Sequence, residues 1–319
     1  MHLVLFLETF NHWFKYVVLV LDSLLIFLSL KYVKPCLAKT YTLNISIPTV
    51  ICCVYKIIRS VLDSKIRPYY GDHGNMSVAV VQIDILIDTF MFFPPLNLYE
   101  IQATLVIVLT YLCYTRPVKY KQICSKKNIR IGFFLGNLLV LFLATCVSLE
   151  RTYSFHPYNI NWQRLHTGVR FAIEMCLLFV MFVFYFKTLN KIVFKKQEPN
   201  HVVAEHHKQH LKAILIYCTP PNLFIFVGVV GSSCSAYVFI HPSKENVFNP
   251  VYNFAYLLMH LADNTVTFRL FVNSVCVLIA FHQYRQAFFK FINDSKSALK
   301  RFSSRRKVNS AFMRSTVST

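Results

Sequence analysis

The residues with chemistry to offer are ionisable or polar side chains set inside apolar runs: Asp22, Asp84, Asp88, Glu100, Arg170, Glu174, His260, Asp263 and Arg269. A charge in hydrocarbon is costly, and it persists where it pairs, faces a polar interior or meets a ligand. Arg170 and Glu174 stand four apart on one helix face, so the first expectation is that they satisfy each other. Arg269 needs an acid from another segment, and Asp22 is the partner suggested by depth. His260, Asp263 and Thr267 fall three and four apart and share one stripe, a polar face that could hold a small molecule.

Metal chemistry is the other possibility. In HVVAEHHKQH, His206 and His210 have the i, i+4 spacing that can grip a metal on a helix. Neither a second histidine cluster nor an HExxH glutamate accompanies them, and the stretch is rich in lysine, so no metal is expected. The ten cysteines lie mostly in apolar runs without zinc or disulfide spacing and read as small core residues. With no nucleotide-binding glycine loop and no Gly-x-Ser-x-Gly elbow, neither an enzymatic activity nor a cofactor is expected.

What must position these residues is a set of membrane-crossing helices. The chain is 55% hydrophobic and 15% charged over 319 residues, far more apolar than a soluble domain of that length. Its net charge of +20 is interspersed between apolar runs rather than gathered on a nucleic-acid-binding module, so nucleic acid is not an expected partner. About 20 apolar residues cross a bilayer, and seven regions qualify: about 14–33, 43–61, one within 77–115, 131–149, 167–187, 211–237 and 251–283. No charged leader with a cleavage site precedes the first, so no removable signal peptide is expected.

Lysine and arginine in short loops fix orientation, because positive charge stays on the cytoplasmic side. Residues 31–42, 115–130, 187–212 and 284–319 hold 24 of them, against five in 1–13, 62–76, 150–166 and 241–250. The amino terminus is therefore expected outside and the carboxyl terminus inside. Asn75-Met76-Ser77, a glycosylation acceptor pattern, then falls on the outside. The region 77–115 is nearly long enough for two spans and carries Pro94-Pro95. A separate span over 77–93 would bury both Asp84 and Asp88, each at roughly 2.5–3.5 kcal/mol; one long, kinked helix is the expectation.

Seven spans, an outer amino terminus, a basic second inner loop after Pro117-Val118-Lys119-Tyr120 and a basic tail containing serine and threonine resemble G-protein-coupled receptors of rhodopsin-like architecture. The short amino terminus, the abundance of Phe and Tyr, and the ending FRLFVNSVCVLIAFHQYRQAFFKFI are similar to nematode serpentine chemoreceptors. The resemblance implies an all-α seven-transmembrane bundle over residues 1–283 and a cytoplasmic amphipathic helix with a basic tail over 284–319. It further implies chemosensory or olfactory signal transduction at the plasma membrane or a sensory cilium, with a small lipophilic or volatile ligand, a heterotrimeric G protein and membrane lipids as partners.

In that family the third span ends in an acid-Arg-aromatic triplet seven residues before the proline. Here Leu109, Thr110 and Tyr111 take those places, so Thr110 stands where the signalling arginine would be. The G-protein-facing residues implied are Thr110, Arg116, Lys119, Tyr120 and Lys121. Asn273 keeps the first position of the family's Asn-Pro-x-x-Tyr without its proline or tyrosine. Pro220-Pro221 should kink the sixth span, as a pivot or as a purely structural bend. The implied ligand residues are Phe92, Phe93, Asn222, Leu223, Phe226, His260, Asp263 and Thr267, in the outer half of the bundle. The surface helix is expected to present Phe288, Phe289 and Ile292 on one face. The external loops lack the cysteine that pins the third span in this family. The alternative reading is a transporter or odorant-gated channel.

Overall fold

The structure, a computed structural model, describes residues 2–70, 78–116, 118, 120, 122, 125–153, 160–194, 229–231, 233, 234, 236–238 and 250–298, leaving out the side chains of some helical residues, among them Thr110, His260 and Asp263. All regular structure among the described residues is helical: α1 (His2–Lys31), α2 (Leu37–Tyr70), α3 (Val78–Thr115), α4 (Lys126–Tyr153), α5 (Ile160–Phe194), α6 (Val229–Val238), α7 (Pro250–Ala280) and α8 (His282–Ala298). Five helices, α1 to α5, contain stretches long and apolar enough to cross a membrane, and a sixth qualifies if the bent pair α7–α8 is taken as one span. Most of the expected run 211–237 lies outside the described residues. Val78–Thr115 forms one helix with Pro94 and Pro95 inside it, so the region is a single helix rather than two short ones.

The chemistry of hydrocarbon accounts for this architecture. Without water, a backbone amide must be satisfied within its own segment, which leaves the helix as the economical solution. Large apolar side chains such as Val20, Leu30, Phe134, Phe142, Phe179 and Phe186 are exposed on the bundle surface. A soluble protein would not tolerate such a coat, whereas lipid does. Several hydroxyls inside the helices bond back to the carbonyl one turn earlier, as Ser29 does to Leu25 (2.7 Å), Thr104 to Glu100 (2.7 Å) and Ser148 to Ala144 (2.8 Å), so these three add no unmet polar group.

α3 is the most buried span and packs against α2, α4 and α5, while α1 packs against α2 and α7. Small residues set the closest approaches, because helices in lipid associate chiefly by van der Waals fit. Gly132 and Gly136 face α3, where a Cβ on Gly136 would lie 3.2 Å from Ile101 Cγ2. Gln102 and Asn137 hydrogen-bond across the same seam at 3.0 Å. On α6, a Cβ at Gly231 would overlap that of Ala262 on α7. Gly231→Ala is therefore expected to lower stability by about 1–3 kcal/mol. Gly168→Ala, at a helical position with nothing within 4 Å, should raise it by up to about 1 kcal/mol. Melting temperatures in detergent that shift the same way for both would refute the close α6–α7 contact.

The chain breaks at Phe281, and α8 leaves α7 at 86°. Tyr284, fully buried, shares a 2.6 Å hydrogen bond with Ser29 of α1. The Tyr32 hydroxyl donates to Asp294 (3.1 Å), and Phe291 packs edge-on against Phe27. The inward face of α8 is thus Tyr284, Ala287, Phe288 and Phe291, one helical stripe against the end of α1. Phe289 is 64% exposed and points away from this inward stripe, since adjacent residues are about 100° apart around a helix.

Candidate functional site

Two polar clusters and one small apolar cluster occupy the bundle interior. In the first, Asp22 of α1 accepts hydrogen bonds at Oδ1 from Ser46 of α2 (2.7 Å) and Ser274 of α7 (3.0 Å). One carboxylate thereby ties three helices together. Thr49, three positions after Ser46, and Asn273, next to Ser274 in the chain, are buried as well.

The second cluster joins four helices. Arg170 of α5 grips Glu150 of α4 with two parallel contacts, Nε to Oε2 at 2.9 Å and Nη2 to Oε1 at 3.2 Å, while its Nη1 reaches both oxygens of Glu174 at 3.1 and 3.2 Å. The fork of donors on guanidinium suits paired carboxylates, which a lysine could not match. All three side chains are nearly inaccessible. Glu100 of α3 binds Arg269 of α7 at 2.9 Å, with the Arg269 guanidinium 5.3 Å from the centroid of the Tyr99 ring. Glu100 also lies within electrostatic reach of Arg170 and Glu174, so the two ion clusters form one network of three carboxylates and two guanidiniums.

These contacts revise two expectations. Arg269 pairs with Glu100 rather than Asp22, whose Oδ1 takes its hydrogen bonds from the serines of α2 and α7 instead. Arg170 is not left to Glu174 alone: Glu150 had been counted with the loop 150–166, but α4 continues to Tyr153 and carries Glu150 into the bundle. Asp84 and Asp88 do not face the interior. Both bind Arg59 of α2, at 2.6 and 3.3 Å, and remain nearly half exposed.

Of the expected ligand residues, Phe92 and Phe93 pack edge-on at 5.3 Å and border a small apolar cluster of Val18, Cys53, Val266 and Leu270. Thr267, buried, is next to Val266 on α7. The structure therefore brings the third-span phenylalanines beside Val266 and Leu270 of α7. His260 and Asp263 sit on α7 two turns and one turn before Thr267, but their side chains are undescribed, and Asn222, Leu223 and Phe226 lie outside the described residues. The face of Phe92 is occupied by the Lys56 ammonium, 3.7 Å from the ring centroid.

At the other end of α3, Arg116 follows the helix directly, exposed, with its amide bonded to the Leu112 carbonyl (2.9 Å). The Tyr120 amide in turn donates to the Arg116 carbonyl (2.8 Å). Tyr111 packs edge-on against Phe184 of α5 at 5.2 Å. Thr110 is helical there, with no described side chain, and Lys119, Lys121 and the glycosylation candidate Asn75 lie outside the described residues, as does the histidine run 201–210. Among the described residues no group of histidine, cysteine or carboxylate side chains has the geometry to hold a metal, and the seven described cysteines are unbridged.

Glu150 and Lys15, both buried, and Lys56 and Arg59, both partly exposed, are charges within the helices that the sequence pattern did not single out. Their signal was present, since each stands in or at the end of an apolar run. No protein-family model matches this chain, and no curated protein matches it.

Proposed function

We propose that the chain is a chemosensory receptor with seven spans in a rhodopsin-like arrangement, which binds a small lipophilic molecule beside Phe92, Phe93 and Thr267 and signals to a heterotrimeric G protein. The observation that carries this reading is α8: an amphipathic helix turned 86° from the last span and fastened to the end of α1 through Tyr284 and Ser29. Such a helix suits a membrane surface, where its apolar edge and basic residues meet lipid. The positive-inside count supports placing that end, with Arg116 and the basic loop after α3, in the cytoplasm, and the amino terminus outside at the plasma membrane or a sensory cilium.

A route between the ends is available. Thr267 is two residues from Arg269, whose ion pair crosses from α7 to Glu100 on α3, so a ligand that shifts α7 alters the contact between the two helices. Only a ligand that prefers one arrangement of that pair would transmit anything.

Two measurements test the proposal. Tags at both termini, stained in intact and in permeabilised cells, should show the amino terminus alone from outside; an exposed carboxyl terminus would sink the receptor reading and favour the channel. Ligand-evoked calcium in a heterologous cell should disappear under G-protein blockade, whereas a response that persists would assign conduction to the chain itself.

A further inference from the structure

Where α1 meets α8, two lysines converge on one ring. Lys31, the last residue of α1, and Lys290 of α8 are both exposed, and their ammoniums stand 5.4 and 5.9 Å from the centroid of the Tyr32 ring. Lys31 is also 5.4 Å from the Phe27 ring, and Phe291 of α8 packs edge-on against both Phe27 and Tyr32. The corner is thus an aromatic base carrying two ammoniums supplied by different helices. A ring attracts a cation within about 6 Å of its centroid, which offsets the repulsion between the two lysines. Asp294 enters this corner through the Tyr32 hydroxyl, which it binds at 3.1 Å. The ion pairs of the described residues are made by Arg59, Arg170 and Arg269, so neither lysine has a carboxylate partner among them.

An exposed apolar stripe runs along α1 to these charges. Val20, Phe27 and Lys31 are spaced seven and four apart, so they share one side of the helix. Val20 and Phe27 are exposed, as is Leu30 beside Lys31 in the chain. From Val20 to Lys31 the helix rises about 16 Å, close to the depth of one leaflet, which is half of about 30 Å. An apolar stripe of that length with a positive end has the proportions of a lipid. A free phosphate would use the lysines and leave the stripe without a role, and phosphatidylcholine would bring its own quaternary ammonium to a positive corner. A lysine stem is long and rotatable, so both ammoniums can reach one phosphate.

We propose that Lys31 and Lys290 hold the phosphate of an anionic lipid whose acyl chain lies along Val20, Phe27 and Leu30 of α1. The lipid joins α1 to α8 on the exposed side, as Tyr284 and Ser29 do on the buried side. The proposal rests on the reading of this end of the bundle as the cytoplasmic one, where anionic lipids are concentrated, and it involves no signalling step.

The test is native mass spectrometry of the full-length chain in detergent, titrated with dioleoylphosphatidylglycerol or dioleoylphosphatidylcholine. The first phosphatidylglycerol is expected to bind about tenfold tighter than the first phosphatidylcholine, since each basic residue near an anionic head group adds about fivefold in affinity. Lys31→Gln/Lys290→Gln should remove that preference, and Lys31→Arg/Lys290→Arg should keep it. Lys296→Gln deletes an exposed charge six positions on, which lies on another face of α8, and should leave the preference unchanged. All the substituted side chains are exposed, and melting temperatures confirm the fold of each variant. Equal affinity for the two lipids, a preference that survives in the double glutamine variant, or an equal loss in Lys296→Gln would overturn the proposal. Glycerol 3-phosphate in excess should not displace the lipid; displacement would assign the lysines to a free phosphate instead. The assay reads neither orientation nor signalling, so a carboxyl terminus exposed on intact cells would reject the receptor reading while leaving the measured preference in place.

Discussion

Replacing Arg170 with Met is expected to lower stability by about 3–5 kcal/mol, because it leaves Glu150 and Glu174 facing each other in the bundle without the guanidinium between them. The corresponding fall in melting temperature is roughly 10 °C for a bundle of this size, readable by thermal unfolding in detergent. The informative comparison is the triple variant Arg170→Met/Glu150→Gln/Glu174→Gln. Removing a whole buried ion cluster is often neutral or stabilising, since the desolvation of all three groups is relieved together. Recovery of most of the loss in the triple variant is therefore expected. If Arg170→Met alone melts like the wild type, the cluster is more hydrated than its burial indicates.

Arg269→Met is expected to have the next largest effect, about 3 kcal/mol, at the lower end of the range for buried pairs because the Glu100 side chain retains 15% exposure. Its distinctive feature is reach. The pair joins α7 to α3. Exchanging the charges, Glu100→Arg with Arg269→Glu, should give a more stable protein than either single change, since the attraction survives the exchange while the hydrogen-bond geometry does not. In the proposed receptor, Arg269→Met should also raise signalling without ligand. A double exchange no better than its worse single would show that the two side chains contribute independently.

These two clusters also measure how far the sequence could be read. The apolar runs marked the five helices that are long and apolar enough to cross a membrane, and Val78–Thr115 is one helix, as Asp84 with Asp88 argued against a separate one over 77–93. Depth along a helix is legible because it follows from residue count. Rotation and neighbour order are not, since both depend on which helices pack together. Asp22 and Glu100 therefore offered comparable partners for Arg269, and only the packing of α1 with α2 and α7 decides between them. Ser46 and Ser274, which hold Asp22, carry no charge to mark them. Glu150 was misplaced for a different reason: the helix outlasts its apolar stretch by several residues, so the last polar turn of α4 read as loop. Of the residues expected to meet a ligand, Phe92 and Phe93 border one apolar cluster with Val266 and Leu270 of α7.

The Tyr284–Ser29 and Ser274–Asp22 hydrogen bonds join residues 255 and 252 positions apart, and this has a consequence for biosynthesis. At 5–20 residues per second, Ser274 is made roughly 13–50 s after Asp22. Throughout that interval α1 is in or at the membrane with only Ser46, supplied early by α2, to solvate its carboxylate. The first helix is thus committed before its final neighbours exist, and the last two helices complete the bundle by returning to the start of the chain.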